Sequence, residues 1–354
     1  MTLIGAPHST SQLRNIAASI HRIRFASSGC TGIIRRSYGN SLWTKVAAVS
    51  GFSAAGLWLY FNHAHCASTS REARSAATPP RPFKSIKLYQ YRFSPYCSKT
   101  RAFVEYYGIP HETVELNPLW KRRMAFTSSK IPVAEVDGEK MDDSSLIVSV
   151  LHTCMVTGKS IRDALLYYPE MAVTNSKGTS VNERVNKYVV MYNETPNALQ
   201  LVRRREEREW REWVDSKLVV AVVPNMFRTL HQSLRCFDYT REVTTFNPLE
   251  RLAVKYIGGV VMFCIGKYMK RKYQLSFDVR RDLYQCCHQW ACAVASNGRF
   301  MGGENPCLAD LDVYGVMRSL EGLDMFTDLM SSTQMGPWYL AMKELVQRQS
   351  GRLM

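Results

Sequence analysis

The chain has 354 residues, 46 % of them apolar, and a net charge of +16. That length admits two domains plus targeting sequence, and the apolar share excludes a chain disordered throughout. The basic residues form no tract with interleaved stacking aromatics, so no nucleic-acid partner is expected, and the ten cysteines include no C-x-x-C pair, which argues against a zinc ribbon or finger.

The charge is uneven. Residues 1–71 hold seven Arg or Lys and no Asp or Glu, which leaves +9 for the remaining 283 residues. That remainder reads as a solvated basic surface or as a preference for anionic lipid or acidic substrates. Residues 1–40 are rich in Ser, Ala and Arg; Arg14, Arg22 and Arg24 interleave with Leu13, Ile16, Ile20, Ile23 and Phe25. A basic amphipathic helix of that kind suits an organellar presequence, with a mitochondrial destination expected. The uncharged run Val46–Phe61 becomes long enough to span a bilayer when extended to residues 42–65, with Trp43, Trp58 and Tyr60 at its interfaces. A transmembrane anchor is therefore expected over 41–65. Arg35, Arg36 and Lys45 put its N-terminal side in the matrix or cytosol, and a Ser/Thr/Pro/Arg-rich linker follows over 66–84.

From residue 85 to 158 the pattern alternates. Ile86–Tyr91 reads as a strand, Pro95–Tyr107 as a helix, Thr113–Leu116 as a strand, and Pro118 opens a second helix. Pro132–Val136 and Glu139–Met141 form a hairpin about Asp137-Gly138, and Asp143-Ser144 start a helix to about Val156. This β-α-β-α-β-β-α order is that of thioredoxin. Over 159–354 the strand signals fade, and helices are expected over 206–223, 278–295, 308–321 and 335–347. The apolar run in residues 249–272 is too short to span a bilayer and reads as a buried helix. Cys286, Cys287 and Cys292 beside His288 read as buried small residues, not metal ligands. The fold expected is an α/β thioredoxin-like domain followed by an all-α domain.

The chemistry concentrates at Tyr91-Arg-Phe-Ser94-Pro95-Tyr96-Cys97, where the first strand meets the first helix. Unpaired backbone N–H groups and the helix dipole favour an anion there, and a thiolate placed there is stabilised. The plain alternative is that Ser94 is only a helix cap. Ile131-Pro132 open the third strand, where a cis proline in a thioredoxin fold leaves backbone groups free to pair with an extended peptide. Asp143 and Ser144, at the next helix start, suit an ammonium and a carboxylate. Together these features describe glutathione.

The segments SPYCSKTRAFVEYYGIPHETVELNP, KIPVAEVDG and DDSSLIVSVL resemble the glutaredoxin-like domain of the membrane-associated prostaglandin E synthase type 2 family. The likeness continues through PNMFRT (224–229), CFDY (236–239), AVKYIGG (253–259) and the stretch 300–324, in order, over roughly residues 85–345. It implies a glutathione-transferase-like helical second domain, an N-terminal anchor, a homodimer, glutathione binding with haem possible, and isomerisation of prostaglandin H2, a lipid endoperoxide, to prostaglandin E2. A Golgi membrane is the alternative location. Two departures stand out. The family carries C-P-F/Y-C, and the first cysteine is here Ser94; the helix cap three residues before Asp310 is Cys307, so a weaker cap is expected.

Serine cannot serve as the thiolate, and its presence removes the pair a dithiol glutaredoxin exchanges. Glutathione held by Ser94 is therefore the expected sulfur, with Cys97 one helical turn inside and buried. Tyr91 is suited to polarising an oxygen or to packing. A serine-type glutathione transferase and a non-catalytic membrane-tethered glutathione or haem binder remain as alternatives.

Overall fold

The computed structural model describes residues 83–119, 130–174 and 180–352. The presequence, the anchor and all but the end of the linker lie outside these residues, as does most of the helix expected after Pro118.

The first half is built on a four-stranded sheet in the order β2-β1-β3-β4. Its strands are β1 (Ile86–Gln90), β2 (Glu112–Glu115), β3 (Val133–Val136) and β4 (Glu139–Asp142). β1 runs parallel to β2 and antiparallel to β3, and β3 pairs antiparallel with β4. The alternation that marks β1 as a strand buries Ile86, Leu88 and Gln90. Asp137, in the β3–β4 turn, accepts from the backbone N–H groups of Lys84 and Ser85 at 2.9 Å each, which ties down the start of β1. Two helices pack on the sheet, α1 (Pro95–Tyr106) and α2 (Ser144–Thr157). Pro95 occupies the first helical position of α1, where a missing N–H costs nothing. α2 is buried on nearly all sides, with Leu146, Ile147, Val150 and Leu151 at or below 1 % exposure. It ends at Gly158, whose positive φ accepts the left-handed cap.

After the short α3 (Ile161–Leu165) the chain forms an antiparallel hairpin, β5 (Glu170–Thr174) with β6 (Ser180–Arg184). This corrects the all-helical expectation. β5 carries only the short apolar run Met171-Ala172-Val173 and β6 a single valine, too little to mark strands, and a two-stranded ribbon outside the core needs no more. The remainder is helical: α4 (Ala198–Trp213), α5 (Val219–Met226), α6 (Leu230–Arg235), α7 (Pro248–Ala253), α8 (Gly259–Lys272), α9 (Val279–Asn297), α10 (Leu308–Arg318), α11 (Asp324–Ser332) and α12 (Met335–Gln347). α3, α6 and α11 were not anticipated from the sequence. π-helical turns at Val214–Leu218 and Val254–Gly258 join α4 to α5 and α7 to α8. A second correction concerns Pro248–Lys272. It is neither too short to span nor buried: its 25 residues are long and apolar enough to cross a membrane, and only 22 % of its most apolar stretch lies inside the molecule. Its glycines face inward with Val254, Met262 and Met269, while Leu249, Leu252, Tyr256, Val260 and Tyr268 face outward.

The two halves share one core. α10 crosses α1 at Gly315, where an added Cβ would lie 2.5 Å from Lys99 Cα. Arg211, fully buried, reaches across as well. Its Nε donates to Asp312 Oδ2 at 2.9 Å, Nη1 to Ser149 Oγ at 2.8 Å and to the Tyr188 carbonyl at 3.1 Å, and Nη2 to the Ser145 carbonyl at 3.2 Å. At the start of α10 the Asp310 carboxylate accepts from the N–H groups of Met301, Gly302 and Cys307 and from Trp338 Nε1, at 3.0–3.2 Å. These four bonds anchor the helix start whatever Cys307 contributes through its sulfur.

Candidate functional site

Strand register brings the sequence-selected residues together. The β1–β3 ladder pairs Tyr89 with Val133; continued by two residues, it sets Tyr91 across from Ile131. The β3–β4 ladder pairs Val133 with Asp142; continued by one, it sets Pro132 across from Asp143. Tyr91, Ile131-Pro132 and Asp143-Ser144 thus meet at one end of the sheet, where α1 and α2 also begin. The Ile131-Pro132 peptide is cis, as expected from the sequence.

Ser94 is the N-cap residue of α1 with extended backbone, but its side chain makes no capping bond to the helix. Its N–H donates to the Tyr91 carbonyl at 2.9 Å, which closes the turn from β1 into α1. The Ser94 side chain hydrogen-bonds Cys97 instead, and the plain-cap reading loses its main support. Cys97 lies one turn further and is 1 % exposed. Burial pushes its thiol up to about 11, against hydrogen bonds involving the Tyr91 backbone and Ser94 that favour the anion. Cys97 is therefore a protonated, inaccessible thiol at neutral pH. Burial likewise pushes Tyr91 to about 12, with Cys97 and Glu115 adding to the rise, so its hydroxyl keeps its proton. The Tyr91 ring stacks on Phe93 at 5.9 Å.

Asp143 caps α2. It accepts from the Ser145 N–H at 3.0 Å while holding φ 70°, a backbone region side chains rarely adopt. Its second oxygen takes Lys187 Nζ at 3.0 Å. Sequence reasoning missed this lysine, because it follows the unanticipated hairpin. Ser144 is buried at the first helical position. Behind it lies a second group the sequence did not indicate. Lys99 Nζ, fully buried on α1, donates to Asp215 Oδ1 and to Ser145 Oγ at 2.7 Å each. Ser145 Oγ donates to Asp215 Oδ2 at 2.7 Å, and Tyr188 OH to the same oxygen at 3.1 Å. Burial alone would raise the Asp215 pKa; Lys99 and the three donated bonds outweigh it and hold the carboxyl below its ordinary range. The network fixes the start of α2 against α1 and the π turn. Its only local signal was a lysine within an otherwise buried helix face.

A zwitterionic amino acid with an extended peptide body matches this arrangement: carboxylate at the α2 N-terminus, ammonium at Asp143, backbone pairing at Ile131, sulfur at Ser94. Among the described residues no group of three His, Cys, Asp or Glu could hold a metal ion.

Comparison with known proteins agrees with this geometry. The family model described as glutathione S-transferase, N-terminal domain, matches residues 88–153. Prostaglandin E synthase 2 of Mus musculus is 37 % identical over 340 residues, covering 93 % of this chain and 87 % of the mouse protein. The chain belongs to the prostaglandin E synthase 2 family. The Danio rerio prostaglandin E synthase 2 is 41 % identical over 272 residues, covering 75 % of this chain and 72 % of its own length. In this family member, Phe227 and the turn after α6 pack against Arg92 and Phe93. Phe93 packs against Phe237 at 4.7 Å and against Phe227 and Tyr239 at 6.1 Å each. Arg92 pairs with Glu242 at 2.5 Å, and its N–H donates to Glu115 at 2.6 Å. The family assignment thus comes with an aromatic wall beside Ser94 that strand and helix periodicity alone did not locate.

Proposed function

We propose that this chain is a glutathione-dependent isomerase that converts a lipid endoperoxide, prostaglandin H2, to prostaglandin E2. The observation that carries the reading is 37 % identity to a prostaglandin E synthase 2 over 93 % of the chain. Support also comes from the sheet end, whose residues suit glutathione. Bound glutathione, held by Ser94, Ile131, Asp143 and Ser144, would supply a thiolate sulfur for the endoperoxide chemistry.

The protein's own residues bind and orient. Ser94 Oγ and the α1 N-terminus stabilise negative charge on sulfur. Ile131 aligns the peptide body, and Asp143 with Ser144 and the α2 N-terminus hold its amino-acid end. Tyr91, which keeps its proton, donates to an oxygen of the substrate. Phe93 and Tyr239, the half-buried members of the aromatic wall backed by Phe237, exclude water and receive the apolar body of the lipid. The reaction is an isomerisation, so no external oxidant or reductant is consumed.

Residues 1–40 direct the chain to mitochondria and residues 42–65 tether it to the membrane in this proposal, with a Golgi membrane as the alternative and a homodimer as the assembly. A second reading has its own support: the uncapped Ser94 hydroxyl also suits a serine-type glutathione transferase. Turnover of prostaglandin H2 with and without glutathione, beside conjugation of a general electrophile, separates them. Product E2 formed only with glutathione supports the isomerase; conjugation without isomerisation overturns it.

A further inference from the structure

The run from Pro248 to Lys272 is amphipathic in an unusual sense. Its inward face holds three buried glycines beside Val254, Met262 and Met269: an added Cβ at Gly259 would lie 2.6 Å from the Leu234 side chain, and one at Gly266 would lie 3.2 Å from Phe227. Its outward face carries large apolar side chains at helical spacing, Leu249 (79 % exposed), Leu252, Tyr256, Val260 and Tyr268 (63 %). From 249 to 268 the stripe is about 29 Å long. A soluble monomer has no use for so long a stripe. Beyond the helix, Phe277 stands 98 % exposed, its carbonyl held by Lys270 Nζ at 2.6 Å.

Charge identifies the occupant. The run has one acid, Glu250, against Arg251, Lys255, Lys267, Lys270, Arg271 and Lys272. At its basic end lies a cavity of about 400 Å³ whose lining includes Arg228, Lys267 and Lys270, with Asp278 the one acid, and Phe277 at its rim. Lys255 is paired with Asp238 at 2.5 Å, so the excess charge lies at 267–272, and a second copy packed parallel about a two-fold axis would bring two basic ends together. A bilayer with anionic phospholipid accepts both features, apolar residues into the acyl boundary and cations onto phosphate.

We propose that this face, Leu249 to Tyr268 with Phe277, lies in the plane of an anionic phospholipid membrane, with a lipid phosphate at the Arg228–Lys267–Lys270 cavity. The run does not cross the bilayer, because its glycine face is committed to α6 and Phe227. The proposal is independent of the anchor at 42–65 and of the isomerase reading, since it concerns contact at one helix face. It places the aromatic wall, whose Phe227 and Phe237 also contact the glycine face, next to the lipid phase.

The test uses the full chain carrying Tyr256→p-benzoylphenylalanine, bound to phosphatidylcholine vesicles with or without phosphatidylserine and irradiated. The expected result is a covalent adduct of phospholipid mass at residue 256, obtained in higher yield with phosphatidylserine. A covalent protein dimer in its place assigns the face to a second copy and overturns the proposal, as does the absence of any adduct. Adding Lys267→Glu, Arg271→Glu and Lys272→Glu, with helicity unchanged, should cut the lipid adduct about tenfold or more in anionic vesicles. An unchanged yield in that variant removes the role given to anionic lipid.

Discussion

At the residue scale the site depends on two carboxylates and a serine. Asp143 is held in a conformation that its side chain does not favour, with Lys187 on one oxygen and the Ser145 N–H on the other. Asp143→Ala should weaken glutathione binding by about 1.5–3 kcal/mol, the range for a hydrogen bond to a charged group, read by titration calorimetry. Unchanged affinity would leave Asp143 as a cap alone. Cys97 makes the opposite prediction. With its thiol near 11, about one molecule in a thousand is ionised at pH 8, so iodoacetamide should spare it. Cys97→Ser should retain most glutathione-dependent turnover, and Ser94→Cys should let other thiols support it. A folded, glutathione-binding Cys97→Ser variant without activity would return the reacting sulfur to the protein. The element starts that hold Ser94, Cys97, Ile131 and Asp143 were legible because Pro, Asp or Ser marks each of them. Lys187 and Asp215 were not, because their partners are 44 and 116 residues away and no local pattern records such a distance.

At the element scale, sequence periodicity located the sheet, α1 and α2 to within one or two residues, since each alternates or repeats against a buried face. It misjudged Pro248–Lys272, because a glycine-lined inward face and an apolar outward face have the composition of a core helix. The crossing of α1 by α10 offers a direct test of packing. Gly315→Ala would put a Cβ 2.5 Å from Lys99 Cα and 3.0 Å from the Ser98 carbonyl oxygen, both backbone atoms that cannot swing aside. The variant should lose about 1–3 kcal/mol in urea denaturation and shift Lys99 relative to Asp215. A stability equal to that of the unaltered chain would mean the helices separate at little cost.

At the scale of the whole molecule, stability should fall on acidification. His152 has a buried Nδ1 with no partner and lies between Phe103 and Tyr107. Burial, aided by Arg211, lowers its pKa from 6.5 to about 3. Between those values the unfolded chain binds a proton that the folded chain refuses, so stability decreases as pH falls from 6.5 towards 3, by up to about 1.4 kcal/mol per pH unit. His152→Phe should flatten that part of the stability–pH profile; an unchanged slope would place the proton uptake elsewhere. Carbonate extraction of full-length protein should leave it with the membrane pellet, and release into the supernatant would argue against the anchor at 42–65.

The π turn at Val214–Leu218 gives the helical run from Ala198 to Met226 one residue more than its turns require. In an α-helix each residue advances about 100°, so one surplus residue changes the phase of everything beyond it while leaving the axis in place. Asp215 sits within that phase change, aimed at Lys99 and Ser145. In genetic terms, a single inserted codon is enough to create such a turn. Deleting Ser216 should undo it, turning Asp215 away from Lys99 and leaving a buried ammonium without its counter-ion.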